Sequence, residues 1–118
     1  MKIEGTGLEG ITIDLARLDE IMDDLGLVRA GQWDYERATY DRKIEAKGDI
    51  YYLRVPAYAV EGDVGGRHAV MKLITPLLGK HYYPHGVEYG EGEVFPSAVV
   101  DTSKNLLKRL SEELKKVQ

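Results

Sequence analysis

The stretch Lys47-Gly48-Asp49-Ile50-Tyr51-Tyr52-Leu53-Arg54-Val55-Pro56-Ala57-Tyr58-Ala59-Val60 decides the fold of this chain. Lys47-Gly48-Asp49 has the chemistry of a hairpin turn, because glycine accepts the left-handed backbone that a tight turn requires. The residues after it are largely β-branched or aromatic, types that suit a pleated surface. Apolar side chains fall on both parities: Tyr51, Leu53, Val55, Ala57 and Ala59 on one, Ile50, Tyr52, Tyr58 and Val60 on the other. This pattern predicts a central strand covered on both faces. Pro56 conflicts with a central position, since it has no N–H to give to a ladder. A bulge or a locally unpaired edge at Pro56 reconciles the two readings.

Upstream of the turn, Trp33 and Tyr35 share one parity, while Ala38, Tyr40, Ile44 and Ala46 share the other. A one-residue bulge near Glu36-Arg37 would bring both sets to one face. Downstream, Glu61 to Arg67 reads as a flexible connection. His68 to Leu78 reads as a third strand, bent or interrupted at Pro76. Gly79 is expected to turn the chain into Lys80-His81-Tyr82-Tyr83, a short fourth strand ending at Pro84. Before all of these, Ile11, Ile13 and Leu15 alternate as a short strand. The period then changes, with Leu15, Leu18, Ile21, Met22 and Leu25 spaced three or four apart as in an amphipathic helix. Asp14 can cap that helix by accepting a first-turn N–H, and Gly26 can end it, with Leu27 folding back as the apolar contact.

At the other end, Phe95-Pro96-Ser97 opens a long helix, proline being tolerated in a first turn. Val100, Ser103, Leu107, Leu110, Leu114 and Val117 form its apolar stripe, widened by Val99 and Leu106. Such a helix is about 30 Å long and can cross a sheet of four or five strands. The expected architecture is a single α+β domain, residues 1–118. It is an antiparallel sheet of four to five strands, with a short N-terminal helix and a long C-terminal helix packed on one face.

Composition narrows the function. The chain has 118 residues, 43% of them hydrophobic and 31% charged, which reads as globular rather than disordered. It has no cysteine, which excludes disulfides, zinc thiolates, iron–sulfur clusters and thiol nucleophiles and fits a reducing interior. No apolar run has the length of a signal peptide or a membrane span, so a cytoplasmic protein with no membrane partner is expected. Net charge is −4, with a pI near 5.4. Arg37, Arg42 and Lys43 alternate with Asp34, Glu36, Asp41 and Glu45, a solvated strand face with cross-strand ion pairs rather than a phosphate track. No nucleic-acid partner is expected.

Two sets of residues stand out as candidate sites. Eight tyrosines stand against one phenylalanine, and a tyrosine hydroxyl needs a partner that a phenyl ring does not. Packing alone explains tyrosines paired across strands, but rings with one wet end also suit a pocket mouth or a protein interface. Trp33, Tyr35, Tyr40, Tyr83 and Tyr89 are the candidates for contact with a ligand or partner. The second set is metal-ligand chemistry, with His81 and His85 plus Glu88. On a strand the two histidines lie too far apart for one ion, so convergence requires a turn at Pro84-His85-Gly86. Gly62, Gly65 and Gly66 match no phosphate-loop spacing, and Ser97, Ser103 and Ser111 sit in no nucleophile elbow. No cofactor is expected.

The strings Gly31-Gln32-Trp33-Asp34-Tyr35-Glu36-Arg37 and Thr39-Tyr40-Asp41, then Tyr51-Tyr52-Leu53-Arg54-Val55 and His81-Tyr82-Tyr83-Pro84-His85-Gly86-Val87-Glu88-Tyr89, resemble the YugN-like family of small proteins from Bacillus and its relatives. The resemblance covers nearly the whole chain. It implies an α+β fold and a Gram-positive bacterial cytoplasm, and it brings no activity, cofactor or catalytic residue with it. The expected function is a non-catalytic binding or protein-interaction module, a homodimer with a small-molecule or protein partner. The alternative is a metal-dependent hydrolase or similar enzyme built on His81 and His85.

Overall fold

The computed structural model describes residues 1–31, 34–66 and 68–118. In chain order the elements are β1 (Thr12–Asp14), α1 (Leu15–Asp24), β2 (Val28–Arg29), β3 (Arg37–Ala46), β4 (Asp49–Gly62), β5 (Ala69–Leu73), β6 (Leu77–Tyr82), β7 (Gly86–Glu88) and α2 (Ser97–Lys115). The fold class is α+β, as expected. Among the described residues the sheet has seven antiparallel strands, because the short β1, β2 and β7 add to the four longer ones.

Local chemistry sets the helix ends. The Asp14 carboxylate accepts the Ala16 N–H at 3.1 Å, which caps α1. Gly26 takes φ +74°, a conformation that costs glycine nothing. The Gly26 amide donates to the Asp23 carbonyl and the Leu27 amide to the Met22 carbonyl, which closes a Schellman motif. Leu27 is then buried against the core, as its place after Gly26 predicts. Pro96 precedes α2, whose inward side is Val99, Ser103, Leu106, Leu107, Leu110, Ser111 and Leu114. The buried Ser103 hydroxyl donates to the Val99 carbonyl one turn back, so a polar group sits in the stripe without an unmet hydrogen bond.

β4 is the spine of the sheet. One edge pairs with β3 along its length. The other edge pairs with β6 over Tyr51–Arg54 and with β5 over Ala57–Gly62. Pro56 stands between those two segments. Its carbonyl accepts the Ile74 N–H at 3.1 Å, and it has no N–H to return. β5 therefore ends at Leu73, and β6 begins only at Leu77. The expected interruption near Pro76 is present, but β6 runs straight through Gly79 rather than turning there.

Other expectations need correction. No bulge lies at Glu36-Arg37, because β3 starts at Arg37. In front of it, the Asp34 carboxylate accepts the Glu36 and Arg37 amides and makes a turn. The register shift falls instead between Ala59 and Glu61, where β4 meets β5. β4 is central but covered on one face only. Tyr51, Leu53, Val55 and Ala57 are at most 3% exposed, whereas Tyr52, Arg54 and Pro56 are half-buried and Tyr58 is exposed. Both helices lie on the first of these faces, where α2 touches β3 and α1. The core between helices and sheet joins Leu18 and Met22 of α1, Leu107, Leu110 and Leu114 of α2, and Tyr40, Leu53, Met71, Leu73 and Leu78 of the sheet.

Candidate functional site

The second face of the sheet carries no helix, and its polar groups are ordered by strand register. Asp41 of β3 lies directly opposite Arg54 of β4. Arg54 Nε donates to Asp41 Oδ1 at 2.8 Å, and Nη2 donates to Oδ2 at 2.9 Å, a bidentate pair. That pairing raises the guanidinium pKa above its ordinary value, with burial opposing it. The Arg54 Cζ also sits 4.9 Å from the centroid of the Tyr89 ring, in cation–π contact. Tyr89 reaches this position by lying over Gly79. A Cβ at Gly79 would come within 2.8 Å of the Tyr89 ring and 2.7 Å of the Glu88 carbonyl, so glycine is what lets the ring lie on the strand. Burial, and then the Asp41 charge, push the Tyr89 hydroxyl up to about 12.

Beside this cluster is a hollow of about 660 Å³. Among the described residues it is lined by Thr39 and Arg54 and by Arg29, Gly31, Asp34, Arg37, Val64 and Gly65. Backbone hydrogen bonds hold the rim: Ala30 N–H to the Thr39 carbonyl, Ala59 N–H to the Glu36 carbonyl, and Val64 N–H to the Tyr35 carbonyl. A shallower hollow shares Arg29 and Ala30 with it and continues past Val28, Asp41, Lys43 and Tyr52.

The residues singled out from sequence are not gathered at one place. Trp33 lies outside the described residues. Tyr35 sits in the connection ahead of β3, 55% exposed, beside the rim of the hollow. Tyr40 is on the helix-covered face and 1% exposed, so it is a core ring rather than part of a contact surface. Its hydroxyl donates to Asp19 of α1 at 2.6 Å, and burial first, then that hydrogen bond, raise its pKa far above the ordinary tyrosine value. Tyr83 is 89% exposed at the β6–β7 turn. Of the four described candidates, Tyr89 is the one built into the polar cluster on the helix-free face.

The histidine set does not assemble either. His81 pairs with Val87 and Lys80 with Glu88 across the β6–β7 hairpin. Directly paired residues share a face and neighbouring residues do not, so His81 and Glu88 point to opposite sides. His85 is exposed in the turn between them. Among the described residues, no three His, Cys, Asp or Glu side chains come together as a metal site would require.

Sequence reasoning passed over Arg54 and Thr39 and read Arg37 and Asp41 only as a solvated strand face. A signal for Arg54 was present. Arg54 is an arginine inside an otherwise apolar strand, and counting outward from the Lys47-Gly48 turn places Asp41 opposite it. The cross-strand ion pairing expected for that face is present in this pair.

Fold and site together define a small α+β protein with two helices on one side of an antiparallel sheet and an arginine-rimmed hollow on the other. Comparison with known proteins identifies it further. The model of the YugN-like family matches residues 3–113, and the chain belongs to that family. It is 54% identical over 118 residues to "Uncharacterized protein YlbA" of Bacillus subtilis (strain 168), covering 100% of this chain and 98% of that one. It is 30% identical over 93 residues to "Uncharacterized protein YugN" of the same organism, covering 78% of this chain and 69% of that one. A crystal structure of YugN from Geobacillus kaustophilus HTA426 superposes with a TM-score of 0.87 at 56% identity, covering 99% of this chain and 97% of that one. Among the described residues, no helix is long and apolar enough to cross a membrane.

Proposed function

We propose that this chain is a non-catalytic binding module of the bacterial cytoplasm and that its ligand site is the hollow on the helix-free face. The observation that carries this reading is the hollow itself, about 660 Å³ and within the range of small-molecule sites. Its polar groups support binding rather than proton transfer. Arg54 donates through Nε and Nη2 to Asp41, and Asp34 Oδ1 accepts two backbone amides. The tyrosine beside them titrates near 12, far from the neutral range a general base needs. Nuclear magnetic resonance of the labelled chain against a small-molecule library tests the reading. Ligands are expected to move the amides of Thr39, Arg54, Val64 and Gly65 together. A set of hits that moves other regions and leaves these four unchanged would contradict it.

A homodimer is the second part of the proposal. Tyr58 and Ile74 stand on the helix-free side, 37% and 43% exposed, and a second copy covering them would remove the ring and the branched side chain from water. Light scattering on the eluted protein should give twice the chain mass, and Tyr58→Glu with Ile74→Glu should give the monomer mass. A wild-type monomer at every concentration rules the dimer out.

A further inference from the structure

The hollow has a chemical bias that the composition of the chain opposes. Overall charge is −4, yet among the described residues three arginines and one aspartate line this one place. Arg29 is turned away, since it stands opposite Tyr40 on the helix-covered side and pairs with Asp19 at 3.6 Å. Asp34 uses its Oδ1 for the two amides of its own turn and keeps its charge at the edge of the hollow. Arg37 and Arg54 remain, both on the helix-free parity, with Thr39 between Arg37 and Asp41 on β3.

These two guanidiniums differ in a useful way. Arg54 is held on one edge by Asp41 and on its face by Tyr89, and its Nη1 has no partner among the described residues. It is therefore oriented before any ligand arrives, which lowers the entropy lost on binding. The Arg37 side chain has no hydrogen bond or ion pair among the described residues, so its donors are open. A guanidinium matches the geometry of a carboxylate or phosphate with paired N–H groups. The volume of the hollow exceeds what a bare oxyanion fills, and the adjoining hollow offers Val28 and the Tyr52 ring.

We propose that this face binds a small organic oxyanion, with a carboxylate or phosphate group between Arg37, Thr39 and Arg54 and a compact body lying toward Val28 and Tyr52. The proposal rests on the binding reading above and names the ligand class for it. It commits to neither source of the oxyanion, because both present the same oxygens to the same donors.

Four probes separate the outcomes in calorimetric and resonance titrations of the full chain: benzoate, phenyl phosphate, inorganic phosphate and the uncharged benzyl alcohol. Benzoate or phenyl phosphate is expected to move the amides of Thr39, Arg54, Val64 and Gly65, and the better of the two names the source. Inorganic phosphate is expected to bind more weakly at the same amides. Arg37→Gln should weaken the organic anions at least tenfold while the melting temperature stays within about 2 °C. Arg54→Lys, which keeps the charge and loses the fork, should weaken them as well. Lys104→Gln with Lys108→Gln, on the rim of a separate hollow along α2, should change nothing. Anion-induced shifts that gather at those lysines, or an Arg37→Gln protein that binds as tightly as wild type, overturn the proposal. Benzyl alcohol moving the four amides while the anions do not overturns the anion class and leaves the binding reading standing. Silence from all four probes counts against both.

Discussion

Along β4, successive side chains belong to two different surfaces. Tyr51, Leu53, Val55 and Ala57 face the helices and are at most 3% exposed. Tyr52, Arg54, Pro56 and Tyr58 face away and stay in partial contact with water. The same residue type serves both. Tyr40 on the first face has its hydroxyl tied to Asp19 inside a packed layer. Tyr89 on the second lies on Gly79 with Arg54 over its ring. The helix-covered face is held by close packing of apolar side chains, where any lost or added volume is felt. Among the described residues the other face carries a bidentate ion pair, the Tyr89 ring against it and half-exposed side chains such as Tyr52 and Tyr58, which leaves room for groups that are not fully engaged.

The largest effect that would test this contrast is on the covered face. Leu110→Asp places an unpaired charge where exposure is 0%, and should cost roughly 3 kcal/mol or more. Denaturant unfolding checks it, and a variant as stable as wild type would mean that α2 does not cover the sheet. Next is Gly79→Ala, which pushes a methyl into the Tyr89 ring and the Glu88 carbonyl. A loss of about 1–3 kcal/mol is expected, together with resonance shifts at Arg54 as the ring is displaced.

Alkaline pH gives a smaller and graded effect. The folded state raises the hydroxyl pKa of Tyr89 from 10 to about 12, so the neutral form is favoured by folding. The resulting stability is fully present below pH 10 and is lost as pH rises through the folded value near 12. Tyr40 shifts in the same direction. Thermal melts from pH 9 to 12 should therefore fall with pH, and Tyr89→Phe should flatten part of the slope. An unchanged slope would mean that the ring is not buried against Gly79. The smallest effect belongs to Arg37→Gln, on the helix-free face, which should leave folding stability within about 0.5 kcal/mol of wild type.

Where the chain signals structure over a few residues, it could be read. Asp14, Gly26 with Leu27, and Pro96 mark the helix ends through caps that are chemically local. The Lys47-Gly48 turn likewise sets the β3–β4 register. What could not be read depends on contacts between distant segments. Period-two alternation separates the two sides of β4 but does not say which side the helices cover. Tyrosines on both parities made both sides look buried. His81 and Glu88 were grouped from composition, but the β6–β7 register, which sends them to opposite faces, is set by pairing that the sequence does not reveal. The cluster at Arg54 was half legible. Its Asp41 partner follows from counting across the hairpin, but Tyr89, 35 positions away along the chain, arrives only through β6 and Gly79.

Pro56 has a consequence for how the sheet finds its pairing. A chain of alternating apolar residues can be zipped against its neighbours in several offsets that look alike to the hydrophobic effect. Most of those offsets would set the proline nitrogen opposite a strand carbonyl and leave that acceptor dry and unmet. In the native offset the break between β5 and β6 falls beside it, at Ile74 to Pro76. The residue that looks like a flaw in the central strand thus works as a reading-frame mark, penalising mispaired sheets.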